Sequence, residues 1–176
     1  SIARIRALRA LLLEQPRPQR RLSVVVPIYG EEAVTLRCLA SLLQEQLGAP
    51  TPTAELEILC IDDASPPGSL DQLAALVAEC GDGLLQLVRQ PENLGYLRSC
   101  NHGASLATGE LICFLNNDTV VTPGWLSELI RTLDGFPDAG LVGPMFIYPD
   151  GRLQEAGGIV WRDGSAWNYG RNDDAE

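Results

Sequence analysis

Two rhythms of apolar residues alternate along this chain: short unbroken runs, and stripes that recur every three or four positions. The run Leu22-Ser23-Val24-Val25-Val26-Pro27 is β-branched and almost continuous, the pattern of a central parallel strand. Behind it, Leu36, Leu39, Leu42, Leu43 and Leu47 share one face of a helix that stops near Gly48 and Pro50. A second run, residues 56–61, predicts the next strand. Ser69 and Gln72 have the spacing of a capping box, opening a helix through Leu73, Leu76, Val77 and Cys80 that ends at Gly81-Asp82-Gly83. Leu84–Val88 predicts a third strand, Tyr96–Thr108 a helix closing at Gly109, and residues 110–115 a fourth strand. Thr122-Pro123 then caps a helix bearing Leu126, Leu129, Ile130 and Leu133. Four strand–helix steps in succession predict an α/β fold, a mostly parallel central sheet with helices on both faces.

The ends depart from this rhythm. Ile2, Ile5, Leu8 and Leu12 repeat near helical period with arginines between them, predicting a short amphipathic helix ended by Pro16 and Pro18. Such a segment packs on its own domain or joins it to a preceding one; docking on a membrane surface is the alternative. After Gly140 the pattern becomes that of hairpins. Leu141–Tyr148 is expected as a strand, Asp150-Gly151 as a hairpin turn, and Asp163-Gly164 as a turn between Gly158–Trp161 and Ala166–Tyr169. The sheet is therefore expected to take on antiparallel strands near its C-terminal end.

Two of the apolar runs lead straight into carboxylates. Leu56–Ile61 ends in Asp62-Asp63-Ala64-Ser65, and Leu111–Leu115 ends in Asn116-Asn117-Asp118-Thr119. In an open α/β sheet ligands bind in the crevice outside the carboxyl ends of the strands. Charge buried without a partner is costly, so ionisable groups at those ends belong in that crevice. Two acidic clusters at one edge predict a polar ligand and a hard cation, hence a nucleotide-dependent enzyme domain.

Composition narrows the ligand. The 176 residues suffice for about one domain with a sizeable core. All thirteen Lys and Arg positions are arginine, which excludes a Walker-type phosphate loop, a pyridoxal Schiff base and a receiver-type site that needs lysine. Residues 1–21 carry a net charge of about +5, leaving about −15 on the rest of a chain whose total is −10. Such an acidic body is a poor nucleic-acid binder. It would also repel an anionic diphosphate unless a divalent cation bridges the two. Five scattered cysteines form no C-x-x-C pair and read as reduced thiols in apolar positions, in keeping with a reducing cytoplasm. No apolar run approaches the roughly 20 residues that cross a bilayer, and no signal peptide is visible. Ser1 and the polar end Asn172–Glu176 suggest a piece of a longer chain.

Where a dinucleotide fold would place G-x-G-x-x-G, the first strand is followed by Pro27-Ile28-Tyr29-Gly30-Glu31-Glu32, with one glycine, so a nicotinamide or flavin oxidoreductase is disfavoured. Asp118, flanked by the amides of Asn116 and Asn117, offers hard oxygen ligands suited to Mg²⁺ or Mn²⁺, which keep several water and phosphate ligands. Either acidic cluster taken alone also fits an ordinary Asn/Asp turn. Asn93 precedes a helix whose first residues face the same crevice, so Arg98 either approaches a phosphate there or is solvated. His102, the single histidine, reads as a packing or surface residue. Trp161, Trp167 and Tyr169 either cover the end of the sheet or offer faces for sugar rings.

Together, Ser23–Tyr29, Ile61-Asp62-Asp63-Ala64-Ser65, Glu92-Asn93-Leu94-Gly95-Tyr96 and Leu115-Asn116-Asn117-Asp118-Thr119 resemble the family-2 glycosyltransferases, in order and spacing over residues 22–148. The resemblance implies the GT-A fold, a nucleotide-binding α/β sandwich. It implies that Pro27, Ile28 and Tyr29 contact base and ribose, and that Asp62-Asp63 supplies, through Asp63, an acceptor for a pyrimidine N–H. Asn116-Asn117-Asp118 stands where the family has D-x-D: Asp118, with Asn116 beside it, would hold a Mn or Mg ion on the diphosphate, and Asn117 would meet the ribose. Asn at the first acidic place lowers the expected metal affinity. Gly30 stands where asparagine is usual. The Asn-Asn-Asp-Thr form resembles rhamnosyl- and related transferases of bacterial surface polysaccharides.

The implied activity is metal-dependent, inverting transfer from a nucleotide diphosphate sugar, UDP- or dTDP-linked, to a saccharide or lipid-linked acceptor. The catalytic base is not identifiable; in the family it comes from a later part of the domain. Residues 1–21 are expected to be a helix and linker and 22–176 the nucleotide-sugar domain, inactive or weak alone and cytoplasmic, either free or at the inner face of the membrane. The alternatives are a catalytically silent binding or scaffolding module, and a nucleotidyltransferase, which would need a basic glycine-rich loop that is missing here.

Overall fold

A computed structural model describes residues 1–14, 20–48, 54–80 and 83–174. Its first unit, Ser1–Gly124, holds α1 (Ile2–Leu13), β1 (Arg21–Ile28), α2 (Glu32–Gly48), β2 (Glu55–Asp62), α3 (Asp71–Cys80), β3 (Leu85–Arg89), α4 (Tyr96–Leu106) and β4 (Leu111–Phe114). The four strands form one wholly parallel sheet in the order β3-β2-β1-β4. Successive strands step one way from β1 to β3, then the chain crosses back to place β4 beside β1. With right-handed crossovers, α2 and α3 lie on one face and α4 on the other. Seven of the eight residues of β1 and of β2 are buried, as expected for strands covered twice.

Close approach on the α4 face depends on glycine. A Cβ at Gly103 would lie 2.3 Å from Val25 Cγ1 and 3.0 Å from Ile61 Cγ1, so α4 rests directly on the sheet there. Val25, Leu59 and Ile61 form the cluster beneath it, with Val88 and Ala107 packed at its margin. On the other face, Glu32 at the start of α2 accepts the Leu73 N–H and the Gln72 amide, both at 2.9 Å, and so caps α3. The predicted Ser69–Gln72 capping box does not form: the Ser69 hydroxyl donates to the Pro66 carbonyl instead. A carboxylate from a neighbouring helix has taken its place.

The N-terminal helix packs against α2 and α3. Ile5 is fully buried, worth roughly 1.5–3 kcal/mol. Arg6 makes a two-pronged pair with Glu79 at 2.8 Å, and Arg4 donates to Gln44. Helix α2 ends at Gly48, as expected; Pro16, Pro18, Pro50 and Gly81-Asp82, expected at helix ends, lie outside the described residues. No helix among the described residues is long and apolar enough to cross a membrane.

At the amino edge of the sheet, buried Glu57 ties three segments together. It accepts bonds from the Ser23 hydroxyl and, at 2.9 Å each, from the backbone N–H and hydroxyl of Thr108. Burial pushes this carboxyl up, but the bonds from Ser23 and Thr108 and the nearby Arg21 charge outweigh it, and the net shift is downward. The adjoining Gly109 donates to Ser23 Oγ at 2.8 Å. A Cβ at Gly109 would lie 2.7 Å from the Ser23 backbone nitrogen, so only glycine lets the turn before β4 close onto β1.

The second unit, Trp125–Glu176, contains α5 (Trp125–Gly135), β5 (Phe146–Ile147), β6 (Leu153–Glu155), β7 (Gly158–Val160) and β8 (Ala166–Asn168). Helix α5 starts later than expected because Gly124, at φ +79°, extends the Pro123 turn. The expected strand 141–148 shrinks to β5. Gly143 and Pro144 interrupt it, one too free and the other lacking an N–H. Both turns appear: Gly151 N–H donates to Tyr148, and Ile159 pairs with Trp167 across the Asp163-Gly164 turn. The strands form the separate antiparallel pairs β5-β6 and β7-β8 instead of joining the central sheet.

Gly109→Ala is expected to destabilise the protein by about 1–3 kcal/mol through overpacking, measured by urea unfolding, whereas Gly48→Ala, with open space around it, should not. Glu57 is also expected to make stability pH-dependent. Its folded pKa lies below the unfolded one, so its contribution is complete above the ordinary carboxylate range and is lost as pH falls through the folded value. Unfolding free energies of Glu57→Gln measured between pH 3 and 7 should show a flatter acid limb.

Candidate active site

The reversal of strand order between β1 and β4 is a topological switch point, where the two crossovers diverge and leave a crevice. An open cleft of about 220 Å³ occupies this end of the sheet, lined by Pro27, Ile28, Tyr29, Glu31, Asp63, Tyr96, Ser99 and Asn117. Whole-ligand pockets typically measure roughly 300–1,000 Å³. This one suits a portion of a ligand, such as a base with its ribose. Tyr29 and Tyr96, each 57% exposed, supply flat rings at its walls.

The two acids at the end of β2 have separate tasks. Asp62 is fully buried; its carboxylate accepts the Ser65 N–H at 2.8 Å and the Arg89 guanidinium. Burial raises its pKa, but bonds from Ser65 and Arg89 and the Arg89 charge prevail, and it is held below the ordinary carboxylate value. Asp62 therefore shapes the turn and does not line the cleft. Asp63 does line it. Its Oδ1 accepts Gln90 Nε2 at 2.8 Å and Leu94 N–H at 2.7 Å, and its Oδ2 accepts Gly95 N–H at 2.8 Å. The Asn93–Gly95 turn is thus held by Asp63 through its backbone, while Asn93 itself is exposed and outside the lining.

The turn after β1 is left-handed at two successive residues, Gly30 at φ +63° and Glu31 at φ +51°. Glycine and asparagine both enter this region readily, which explains how Gly30 occupies a place where asparagine is usual. The Glu31 carbonyl accepts the N–H groups of Val34 and Thr35 and starts α2. Thr35 Oγ1 in turn receives Asn117 Nδ2 at 3.0 Å, fixing that amide with Oδ1 left to accept. Asn116 and Asp118 are exposed on either side of Asn117. Among the described residues no hydrogen bond or ion pair engages the Asp118 carboxylate. Its charge, after burial itself, helps push the Cys38 thiol up to about 12, which locates it beside α2. Cys38, Cys60, Cys100 and Cys113 are free thiols.

Arg98 is exposed, two residues on from Tyr96, and is not among the lining residues, whereas Tyr96 and Ser99, three apart on α4, both are. The sequence reading therefore brought Pro27, Ile28, Tyr29, Asp63 and Asn117 to one opening, with Asn116 and Asp118 adjoining. It missed Glu31, Tyr96 and Ser99 as lining and Gln90 as a partner of Asp63. The three-residue spacing of Tyr96 and Ser99 was the available signal; nothing local to Gln90 marked it. Among the described residues no three His, Cys, Asp or Glu side chains cluster closely enough to cage a metal ion.

A parallel sheet with a cleft at its switch point is an open α/β architecture, and the solved structures similar to it are of the GT-A fold. The chain belongs to Glycosyl transferase family 2, whose profile matches residues 23–172. It is 32% identical over 147 residues to the O-antigen biosynthesis protein RfbC of Myxococcus xanthus, covering 83% of this chain and 11% of that one. The mannosyltransferase PcManGT from Pyrobaculum calidifontis, solved with GDP-Man and Mn²⁺, superposes with TM-score 0.59 at 22% identity, covering 85% of this chain and 48% of that one. S. aureus TarS 1–349 with UDP gives TM-score 0.53 at 22% identity, over 72% and 39%. The structural likenesses show the fold, and the chain spans less than half the length of each of these relatives.

Stability measurements should separate the tethered carboxylate from the free one. Asp63→Ala leaves the buried Gln90 amide and the half-buried N–H groups of Leu94 and Gly95 without their acceptor and is expected to cost about 1–3 kcal/mol in thermal or urea unfolding. Asp118→Ala should stay within about ±0.5 kcal/mol of wild type.

Proposed function

We propose that this domain is the donor site of a metal-dependent, inverting glycosyltransferase of cell-surface polysaccharide synthesis. Its donor is a nucleotide diphosphate sugar, UDP- or dTDP-linked, and its acceptor a saccharide or lipid-linked saccharide met in the cytoplasm. One observation carries the reading. Asp63 just after β2 and Asn117 in the loop after β4 line a single opening, and the unengaged carboxylate of Asp118 adjoins it. Family membership and the relative named for O-antigen biosynthesis support the class of reaction and process.

In this reading the base enters between Tyr29 and Tyr96 and donates a ring N–H to Asp63. The Asn117 amide, steadied by Thr35, meets a ribose hydroxyl. A divalent cation, Mn or Mg, fits the donor set: one exposed carboxylate, with Asn116 beside it, suits an ion that takes its remaining ligands from phosphate and water. Such an ion would stabilise charge on the departing diphosphate. The acidity of the chain makes the ion more necessary, because a bare diphosphate would approach a body of the same sign.

A second reading, a silent nucleotide-sugar-binding or scaffolding module, is favoured by Asn116 standing where the family carries an acid. Calorimetric titration of UDP, dTDP and GDP with and without Mn²⁺ separates the two. The enzyme reading expects Mn²⁺-dependent binding that Asp118→Ala weakens about 10- to 100-fold, the loss of a contact worth roughly 1.5–3 kcal/mol. Binding indifferent to metal and to Asp118, or no binding of any of the three nucleotides, would favour the silent module and overturn the enzyme reading.

A further inference from the structure

At the wall of the cleft, a closed ring of hydrogen bonds joins the lining residues Asp63 and Ser99 through Gln90 and Gly95. Gln90 is 3% exposed and Ser99 fully buried. The Gln90 amide donates one N–H to Asp63 Oδ1 and the other to Ser99 Oγ, both at 2.8 Å. The Ser99 hydroxyl donates to the Gly95 carbonyl at 3.1 Å, and the Gly95 N–H returns to Asp63 Oδ2 at 2.8 Å. Only one orientation of the Gln90 amide serves, because an ionised carboxylate accepts and never donates. Flipped, the amide oxygen would face Asp63 across a repulsive contact.

The ring determines which part of Asp63 meets a ligand. With Gln90 and Leu94 both donating to Oδ1, that oxygen has its two acceptor sites filled. Oδ2 receives one bond, from Gly95, and keeps one site open. We infer that Gln90 is a positioning residue that sets the base preference of the cleft, by locking the Asp63 carboxylate so that a single, acceptor-only site faces the ligand. A base with a ring N–H, such as uracil, thymine or guanine, satisfies that site. Cytosine presents a bare ring nitrogen there and leaves two acceptors opposed, which polar sites reject far more strongly than a missing apolar contact. Without Gln90, Oδ1 has a vacant acceptor site, and the carboxylate can turn or admit water, so the distinction weakens.

This inference rests on the nucleotide-binding reading above, and the test keeps the two apart. UDP and CDP are titrated in the presence of Mn²⁺ into wild type, Gln90→Met and Ser99→Ala. Wild type should prefer UDP. Gln90→Met, close in shape but without donors, should lower the UDP-to-CDP affinity ratio about tenfold, by weakening UDP while leaving CDP unchanged. Ser99→Ala, which removes one support of the Gln90 amide, should lower the ratio less, about threefold, and decides the matter if Gln90→Met does not fold. An equal loss for both nucleotides would mean a merely structural role and overturn the inference, as would an unchanged ratio or a wild type without preference. If wild type binds neither nucleotide, the functional reading falls first and takes this one with it.

Discussion

Burial of the two inner strands governs everything else in the first unit. Strands β1 and β2 are out of water for nearly their whole length, so a carboxylate in or beside them persists only where enough donors surround it. Strand β2 carries such groups near both ends. Glu57 near the amino end gathers Ser23 and Thr108, and by doing so fastens the turn before β4 to β1. Asp62 and Asp63 at the carboxyl end gather Ser65, Arg89, Gln90, Leu94 and Gly95. The same desolvation cost produces a structural latch at one edge and an organised cleft at the other.

The cleft illustrates how one type of side chain acquires two kinds of work. Asp63 is held by three donors, so its geometry is set before any ligand arrives, and preorganisation of that kind favours recognition. Asp118 is exposed and unengaged among the described residues, so it keeps its charge available to an ion or a phosphate-bound cation. A rigid acceptor for the base and a free carboxylate for the diphosphate end are the two halves of the proposed donor site. They lie in the segments that follow strands β2 and β4, which are separated in the sheet by β1.

Much of this was legible from residue order. The apolar runs located all four parallel strands; β1 and β2 are buried on both faces and need an unbroken apolar stretch, while β3 and β4 are only partly covered. Pro27-Ile28-Tyr29, Asp63 and Asn117 were expected at one edge because polar groups at strand ends have nowhere else to go. Other features were invisible for equally physical reasons. Ser69 and Gln72 had the spacing of a cap, yet the Ser69 hydroxyl turns to the Pro66 carbonyl and Glu32 on another helix accepts the Leu73 N–H. The run 141–148 was apolar enough for a strand, but Gly143-Pro144 broke it.

The amino-acid sequence by itself determined the alternation of strands and helices, the edge at which chemistry gathers, and the family resemblance. These depend on local periodicity and on the cost of burying charge, both of which are properties of neighbours in the chain. Tertiary structure alone decided which acid of the Asp62-Asp63 pair faces the cleft, that Arg98 and Asn93 stay outside its lining, and that Ser99 lines it while Gln90 supports Asp63 from behind. Those outcomes turn on contacts between residues nine to thirty-odd positions apart, and a hydrogen-bond partner at that distance is chosen by the packing of α4 against the sheet.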